Sequence, residues 1–276
     1  MRIQPLLSTA LLASMLCTSA GAVVLGTGPS DLNYRFKYRN VGVRTYVQPP
    51  QGASTASMQD LQNLMAEFQP YFGPVAQTLA GRINFTASPI SGLGAPYFDD
   101  AAGRGDYALV VADWGEITDV NDVRYYPAFT TTYSYVAGQY LPCSDGHGAL
   151  IPGNCNSTDR MARFAVTYLN FTKINADWSH SIYHLDVVEP DGHQITFGDF
   201  LQHLVAHEFG HVLGMGHELD SGGGAAYCVV AGNRYTPPID QYPQSTSVME
   251  PGGYCRKFFS NYAAPDIRWL DINYPK

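Results

Sequence analysis

The stretch that decides how this chain folds is HEFGHVLGMGH, residues 207–217. His207 and His211 are four residues apart, so on a helix their imidazole rings lie one turn apart on the same face. Two imidazoles at this spacing can bind one Zn²⁺ ion. Glu208 projects beside such a metal rather than onto it, where its carboxylate can take a proton from a bound water.

The same stretch predicts where the helix ends and where a third ligand comes from. Gly214 is the expected helix end, because glycine readily adopts the left-handed conformation of a helix C-terminus. The turn at Gly214 would redirect the chain so that His217 supplies a third nitrogen. Three protein ligands leave a fourth position open for water, which is typical of a catalytic zinc site and not of a structural one.

Two long helices are expected. The one that carries the histidines should begin near Thr196, because Thr196 and Asp199 have the spacing of a capping box and an apolar helical pattern follows them. An earlier helix is predicted over 54–79 from apolar residues at helical spacing. Pro70 and Pro74 are expected to bend or interrupt that helix.

Several segments have the composition of β-strands. The predicted strands are 41–47, 82–87, 107–112, 125–140, 163–171 and 182–188. The apolar run over 107–112 suits the centre of a sheet. After His217 the chain is rich in glycine and proline, which predicts an irregular segment, and a short helix is expected around 265–271. The sequence therefore predicts one α+β domain.

The complete motif H-E-x-x-H-x-x-G-x-x-H resembles that of the metzincin zinc endopeptidases. Metzincins carry a Met-turn after the third histidine, and Ser247-Val248-Met249-Glu250-Pro251 resembles its matrixin form. This resemblance implies that Met249 forms a hydrophobic floor beneath the metal. Glu218 after the third histidine resembles the astacin branch, yet Pro251 stands where the astacin Met-turn has tyrosine. We therefore assign no branch.

The resemblance implies a fold and an activity. The expected fold is a mixed twisted sheet with two long helices above a cleft, about 41–214, and an irregular C-terminal subdomain below it, about 215–276. The expected activity is hydrolysis of proteins or peptides at one catalytic Zn²⁺, with Glu208 as general base. A substrate should bind extended along an edge strand, for which 148–151 is our suggestion.

One alternative function stays open at this point. The chain could be an exported zinc-bearing binding protein, or adhesin, that keeps the protease fold without turnover. The intact Glu208 argues against it, because a binding module has no use for a general base there.

Residues 1–22 predict export. Arg2 is followed by an apolar run and by small residues at 20–22, which is the layout of a secretory signal peptide. We therefore expect a secreted or periplasmic protein whose mature part, 23–276, is a single domain. No stretch is long enough to span a membrane comfortably. The net charge of −8 argues against nucleic-acid binding, and we expect a monomer.

Four cysteines remain after the predicted leader, and an even number in an exported protein indicates disulfides. They are Cys143, Cys155, Cys228 and Cys255. Four cysteines allow three pairings. Local spacing favours Cys143 with Cys155 and Cys228 with Cys255.

Other side chains can bind metals in principle. His180 and His184 are four residues apart but lack a neighbouring glutamate or third histidine, so we expect surface or packing roles rather than a second metal. The cluster of Asp99, Asp100 and Asp106 makes Ca²⁺ a second candidate cofactor. The cluster lacks a loop of spaced ligands, so we expect a solvated turn.

Two further questions concern the proposed site. Tyr227 and Tyr254 are candidates for a phenol that stabilises an oxyanion, although we expect both to be structural. No cysteine lies between the leader and Cys143, so the propeptide cysteine that blocks zinc in matrixins is absent. Asp31 could cap the metal instead, although a turn residue is expected there.

Overall fold

The computed structural model describes residues 29–87, 92–93, 105–136, 139–143, 151, 154–155, 161–179, 194–218, 247–249 and 260–276. These residues form an α+β fold. Its helices are α1 (Met58–Leu79), α2 (Phe171–Ser179), α3 (Phe197–Leu213) and α4 (Ala264–Asn273). Its strands are β1 (Pro29–Asp31), β2 (Arg35–Phe36), β3 (Asn40–Val47), β4 (Asn84–Ala87), β5 (Gly92–Leu93), β6 (Gly105–Ala112), β7 (Ala128–Val136), β8 (Gln139–Pro142), β9 (Met161–Ala162), β10 (Phe164–Asn170) and β11 (Met215–Glu218).

A mixed seven-stranded sheet is the centre of the described fold. Its strands run in the order β4-β3-β6-β10-β7-β8, and β5 also pairs with β3. β3, β4, β5, β6 and β10 are parallel, whereas β7 is antiparallel to β10 and β8 is antiparallel to β7. Every residue of β6 is buried, which confirms that the apolar run over 107–112 occupies the sheet interior.

Helix α1 begins at Met58, later than the predicted 54, and a capping box precedes it. The Ser57 side chain accepts from the Asp60 amide, and the Asp60 carboxylate accepts from the Ser57 amide. The helix continues through Pro70 and Pro74, so the expected interruption is not found. Both prolines lie on the exposed side of the helix, where a carbonyl that loses its amide partner can bind water instead. The buried side of α1 keeps its packing.

Helix α3 has both predicted ends. Thr196 and Asp199 form a capping box, and Gly214 ends the helix with φ of 96°. On the side of α3 opposite to His207, Phe209 is fully buried. Its ring meets those of Phe72, Phe85 and Tyr107 edge-on. This aromatic anchoring fixes the rotation of α3 and leaves the histidine face turned away from the cluster.

Two segments differ from the strand predictions. The predicted strand 163–171 ends at Asn170, and Phe171 begins helix α2. The apolar residues Phe171, Ile174 and Trp178 have helical spacing, which the β-rich composition of β10 obscured. The predicted strand 125–140 is divided into β7 and β8, and it is preceded by a short 3₁₀ turn at Val123–Tyr125.

Several sequence predictions lie outside the described residues. They concern the signal peptide at 1–22, Asp99, Asp100, His180, His184, the strand at 182–188, Tyr227, Cys228, Tyr254, Cys255 and most of the irregular C-terminal subdomain. Among the residues that are described, no helix combines the length and apolar character needed to cross a membrane.

Candidate metal centre

The fold brings the three predicted histidines together. His207 and His211 lie one turn apart on α3, and His217 lies on β11. One ligand nitrogen of each ring lies within 4.8 Å of those of the other two. The ring centroids are 4.9 Å apart for His207 and His211, 5.2 Å for His207 and His217, and 4.8 Å for His211 and His217. This cluster can hold a metal ion.

Hydrogen bonds orient two of these rings. Nδ1 of His207 lies 2.8 Å from the carbonyl oxygen of Val248, and Nδ1 of His211 lies 2.9 Å from that of Met215. A carbonyl oxygen only accepts, so Nδ1 carries the proton in each ring. Nε2 is then the free ligand atom of both histidines, in the tautomer that metal-binding histidines adopt.

Burial keeps these imidazoles neutral. It lowers the pKa of His207 to about 4, and the bond to Val248 opposes part of this change. The pKa of His211 is lowered well below its ordinary value, first by burial and then by His217 and His207. The neutral form is the one that binds a metal, so both ligands are ready to bind at neutral pH without first losing a proton.

Glu208 is a buried carboxyl group next to the first ligand. Its side chain is only 4% exposed. Burial raises its pKa to about 7, and a hydrogen bond from Thr130 opposes part of the rise. Oε2 of Glu208 has no hydrogen-bond partner among the described residues. A carboxyl group with this pKa can both take and return a proton near neutral pH.

The carbonyl groups at the end of α3 are bound by residues distant in sequence. The Tyr34 hydroxyl donates to the carbonyl oxygen of His211. The Tyr274 hydroxyl donates to that of Leu213 at 2.8 Å. The Leu32 amide donates to that of Gly214 at 3.0 Å. The turn between α3 and His217 is therefore fixed by hydrogen bonds from three residues that lie far from it in sequence.

Gly214 is needed in this turn for two reasons. Its positive φ disfavours any residue with a side chain. A Cβ at this position would also overlap the carbonyl oxygen of Tyr34.

Strand β1 holds the segment that carries His217. It pairs with β11 in antiparallel register, with Asp31 opposite Met215 and Pro29 opposite Glu218. A Cβ at Gly216 would overlap the hydroxyl oxygen of Ser30, so the two strands approach closely there. The third ligand thus owes its position to a strand at the other end of the chain.

The Asp31 carboxylate forms an ion pair with the Arg35 side chain. It accepts from the Arg35 guanidinium at 2.7 and 2.8 Å, and from the Asn33 amide at 2.7 Å. Asp31 is the last residue of strand β1, and the bond from the Asn33 amide belongs to the turn that follows the strand.

Met249 lies against the metal-binding helix. A Cβ on Gly210, which is one residue before His211, would overlap Sδ of Met249. Met249 and Val248 are both fully buried. We call Ser247–Met249 the methionine turn. Its Val248 carbonyl is the group that binds His207, so the turn contacts His207 through its backbone and α3 at Gly210 through the Met249 side chain.

Asp266, in the first turn of α4, holds the methionine turn and was missed by sequence reasoning. Its carboxylate accepts from the Ser247 hydroxyl, from the Val248 amide at 3.0 Å and from the Ala263 amide at 2.8 Å. It is fully buried. An aspartate in the first turn of a helix is common for reasons of helix capping alone, so nothing in the sequence marked it as part of the site.

The described part of the chain contains one of the two favoured disulfides. Cys143 is bonded to Cys155, which confirms that prediction. The Cys143 amide donates to the carbonyl oxygen of Thr132 at 2.6 Å, so the bridge is anchored to β7.

Asp106 is not the solvated turn residue that was expected. It lies on β6, is 1% exposed and forms an ion pair with Arg44 on the neighbouring strand β3. Its position on a central strand, with the half-buried Arg44 as its partner, removes Asp106 from the surface.

No protein-family model matches this chain, and no curated protein is significantly similar to it. The functional interpretation therefore depends on the residues of the site. They form a buried three-histidine cluster that can hold a metal ion, with a carboxyl group of raised pKa beside it.

Proposed function

We propose that this protein is a zinc-dependent endopeptidase of metzincin type. The observation that carries the proposal is the arrangement of three imidazoles around one position, with the buried Glu208 next to the first of them. Three nitrogen ligands without sulfur suit zinc, and three protein ligands are the number found in catalytic zinc sites. The mixed sheet with α1 and α3 also fits the expected fold.

The histidines and Glu208 would have different roles in the reaction. His207, His211 and His217 hold the zinc, which when bound acts as a Lewis acid toward water and the substrate carbonyl. Glu208 takes the proton from the attacking water. It then gives this proton to the leaving amine, which completes hydrolysis of the peptide bond. General acid–base catalysis of this kind contributes about 10²–10⁴-fold to the rate.

The substrate proposed is a protein or peptide chain bound in extended form along an edge of the sheet. Of the suggested edge segment 148–151, only Ile151 is among the described residues. Its amide donates to the Cys143 carbonyl at 2.8 Å, which places the end of the segment beside β8. We further propose that the protein is exported and acts as a monomer.

Cleavage of an unfolded protein by the zinc-loaded chain tests this function. A chelator should abolish cleavage, and added zinc should restore it. The His217→Ala variant should bind zinc more weakly and cleave little. A folded chain that holds one zinc ion and cleaves neither unfolded proteins nor peptide libraries would contradict the proposal and favour the zinc-bearing binding protein.

A further inference from the structure

His211 is the metal-binding histidine that lies at the end of its helix. The last four carbonyl groups of an α-helix have no partner within the helix. Because α3 ends at Leu213, the carbonyl group of His211 is one of these four. The His211 ring is oriented by the Met215 carbonyl, but the position of the His211 backbone depends on donors from beyond the helix.

Two donors bind the carbonyl oxygen of His211 and use both of its lone pairs. The Gly214 amide donates to it at 3.0 Å, and the Tyr34 hydroxyl donates to it from the N-terminal segment. Tyr34 is fully buried, and a hydrogen bond in such a site is electrostatically stronger than one in water. Tyr34 therefore holds the backbone of a metal ligand that lies 177 residues further along the chain.

Further contacts of Tyr34 keep its hydroxyl in this position. The Arg35 guanidinium donates to the Tyr34 carbonyl oxygen at 2.6 Å. A Cβ at Gly214 would overlap this carbonyl oxygen and would lie 3.5 Å from Cδ2 of the Tyr34 ring. Both the backbone and the ring of Tyr34 thus pack against the end of α3, which leaves the hydroxyl little freedom to move away from His211.

We propose that Tyr34 is a positioning residue of the metal centre, which fixes the backbone of His211 and through it the place of the ligand atom Nε2. This inference rests on the metal site of the proposed function and does not depend on turnover. Without the hydroxyl, the Gly214 amide is the remaining donor to this carbonyl oxygen among the described residues. The last turn of α3 would then shift, and a displaced imidazole binds a metal more weakly and in a different geometry.

Tyr274 provides a matched control at the same end of α3. Its hydroxyl donates at 2.8 Å to the carbonyl oxygen of Leu213, which is not a metal ligand. The same hydroxyl accepts from the Phe36 amide at 2.7 Å. Tyr274→Phe therefore breaks two buried hydrogen bonds and should be destabilised at least as much as Tyr34→Phe. The two variants separate an effect on the metal ligand from a general loss of stability.

Competition with a chelator of known affinity measures zinc binding by each metal-free protein, under conditions in which circular dichroism shows that it is folded. We expect Tyr34→Phe to lower zinc affinity about 10–100-fold, as is usual when a group that orients a metal ligand is lost. Tyr274→Phe should stay close to wild type. Wild-type affinity in folded Tyr34→Phe, or an equal loss in Tyr274→Phe, would overturn the proposal.

A second measurement reports the geometry of the site and needs only metal-loaded protein, so it also serves if Tyr34→Phe folds only with metal. The visible absorption of Co²⁺ bound in place of zinc depends on the arrangement of its ligands. The bands of Tyr34→Phe should differ from those of wild type, and the bands of Tyr274→Phe should match them. Identical bands in all three proteins would overturn the proposal. If wild type binds zinc but cleaves nothing, the proposed function fails, and the two variants still decide the role of Tyr34.

Discussion

Gly210 is a residue at which helix α3 and the methionine turn are in close contact. It lies between Glu208 and His211, on the side of α3 that faces Met249. A Cβ at this position would overlap Sδ of Met249, so a larger residue requires the Met249 side chain to move. Glycine is unfavourable inside a helix by about 0.5–1 kcal/mol relative to alanine. The close packing of Met249 gives a physical reason why glycine occupies position 210.

We expect Gly210→Ala to destabilise the protein despite the higher helix propensity of alanine. Overpacking of this kind costs about 1–3 kcal/mol in the free energy of unfolding. It should also weaken zinc binding, because Met249 and the Val248 carbonyl belong to one short turn. Urea unfolding of the metal-free protein and competition with a zinc chelator measure the two effects.

A second substitution checks that the cause is the contact with Met249. Met249→Ala makes room for the new methyl group, so it should recover part of the stability that Gly210→Ala loses. Additive losses in the double variant would show that Met249 is not the group displaced.

At the scale of elements, the methionine turn is connected to α4 through Asp266. Each end of this connection is a hydrogen bond to Val248, whose carbonyl orients His207 and whose amide is bound by the Asp266 carboxylate. Helix α4 therefore reaches His207 through one side chain, that of Asp266, and one backbone residue, Val248. Elements far apart in sequence meet here to orient a single imidazole.

We expect Asp266→Ala to lower zinc affinity about 10–100-fold, because the turn that orients His207 loses its anchor. Competition with a chelator of known affinity measures the change. Ile272→Ala is the control, since Ile272 lies on the same helix and is 79% exposed. Wild-type zinc affinity in a folded Asp266→Ala protein would contradict this role.

The N-terminal segment 29–36 is a second element that is distant from the histidines in sequence but contacts the segments that carry them. β1 pairs with the strand that carries His217, and Tyr34 binds the carbonyl group of His211. The same segment reaches α4, because the Arg35 guanidinium lies 4.9 Å from the centre of the Trp269 ring. It therefore packs against three elements of the described fold, β11, α3 and α4.

A chain that begins at residue 29 should bind zinc as well as one that begins at residue 23. A chain that begins at residue 37 should bind zinc weakly or fail to fold, because the His217 segment and the end of α3 both lose their partners. Zinc content after purification and circular dichroism measure these outcomes. Full zinc occupancy in the shortest chain would show that the segment is dispensable.

At the scale of the whole molecule, the sequence predicted those features that depend on residues close to one another in the chain. The turn of helix between His207 and His211, the left-handed end at Gly214 and the cap of α3 all depend on neighbours within a few residues. The buried strand β6 followed from its apolar run. These features were enough to predict the α+β class and the three-histidine cluster.

The residues that were missed depend on pairing between distant segments. Asp266 becomes part of the site only because α4 packs against the methionine turn. Asp106 was misplaced for the same reason, since its partner Arg44 lies on another strand. No local pattern in the sequence specifies these neighbours.

The buried tyrosines predict how the whole fold responds to alkali. Burial is the main cause that raises the pKa of Tyr107, Tyr262 and Tyr274 above the ordinary value of 10.0. Above about pH 10 the unfolded chain loses these protons and the folded chain keeps them. Stability is therefore fully present below pH 10 and falls as pH rises, by up to about 1.4 kcal/mol per pH unit for each tyrosine.

Tyr262→Phe tests this behaviour at one position. The Tyr262 hydroxyl is buried without a hydrogen-bond partner among the described residues, so its removal should stabilise the protein by about 1 kcal/mol at neutral pH. The variant should also lose less stability above pH 10 than wild type does, because Tyr262 no longer contributes a proton that only the unfolded chain loses. Urea unfolding at pH 8 and pH 10.5 measures both effects. Clear destabilisation at pH 8 would show that the hydroxyl is satisfied.

The most direct test of the central claim is the turnover of Glu208→Gln compared with wild type at equal zinc content. Glutamine has nearly the size of glutamate but cannot take a proton from water. The proposed role predicts that the variant binds one zinc ion as tightly as wild type and cleaves an unfolded protein about 10²–10⁴-fold more slowly. Undiminished cleavage by the fully zinc-loaded variant would contradict the role of Glu208 as general base.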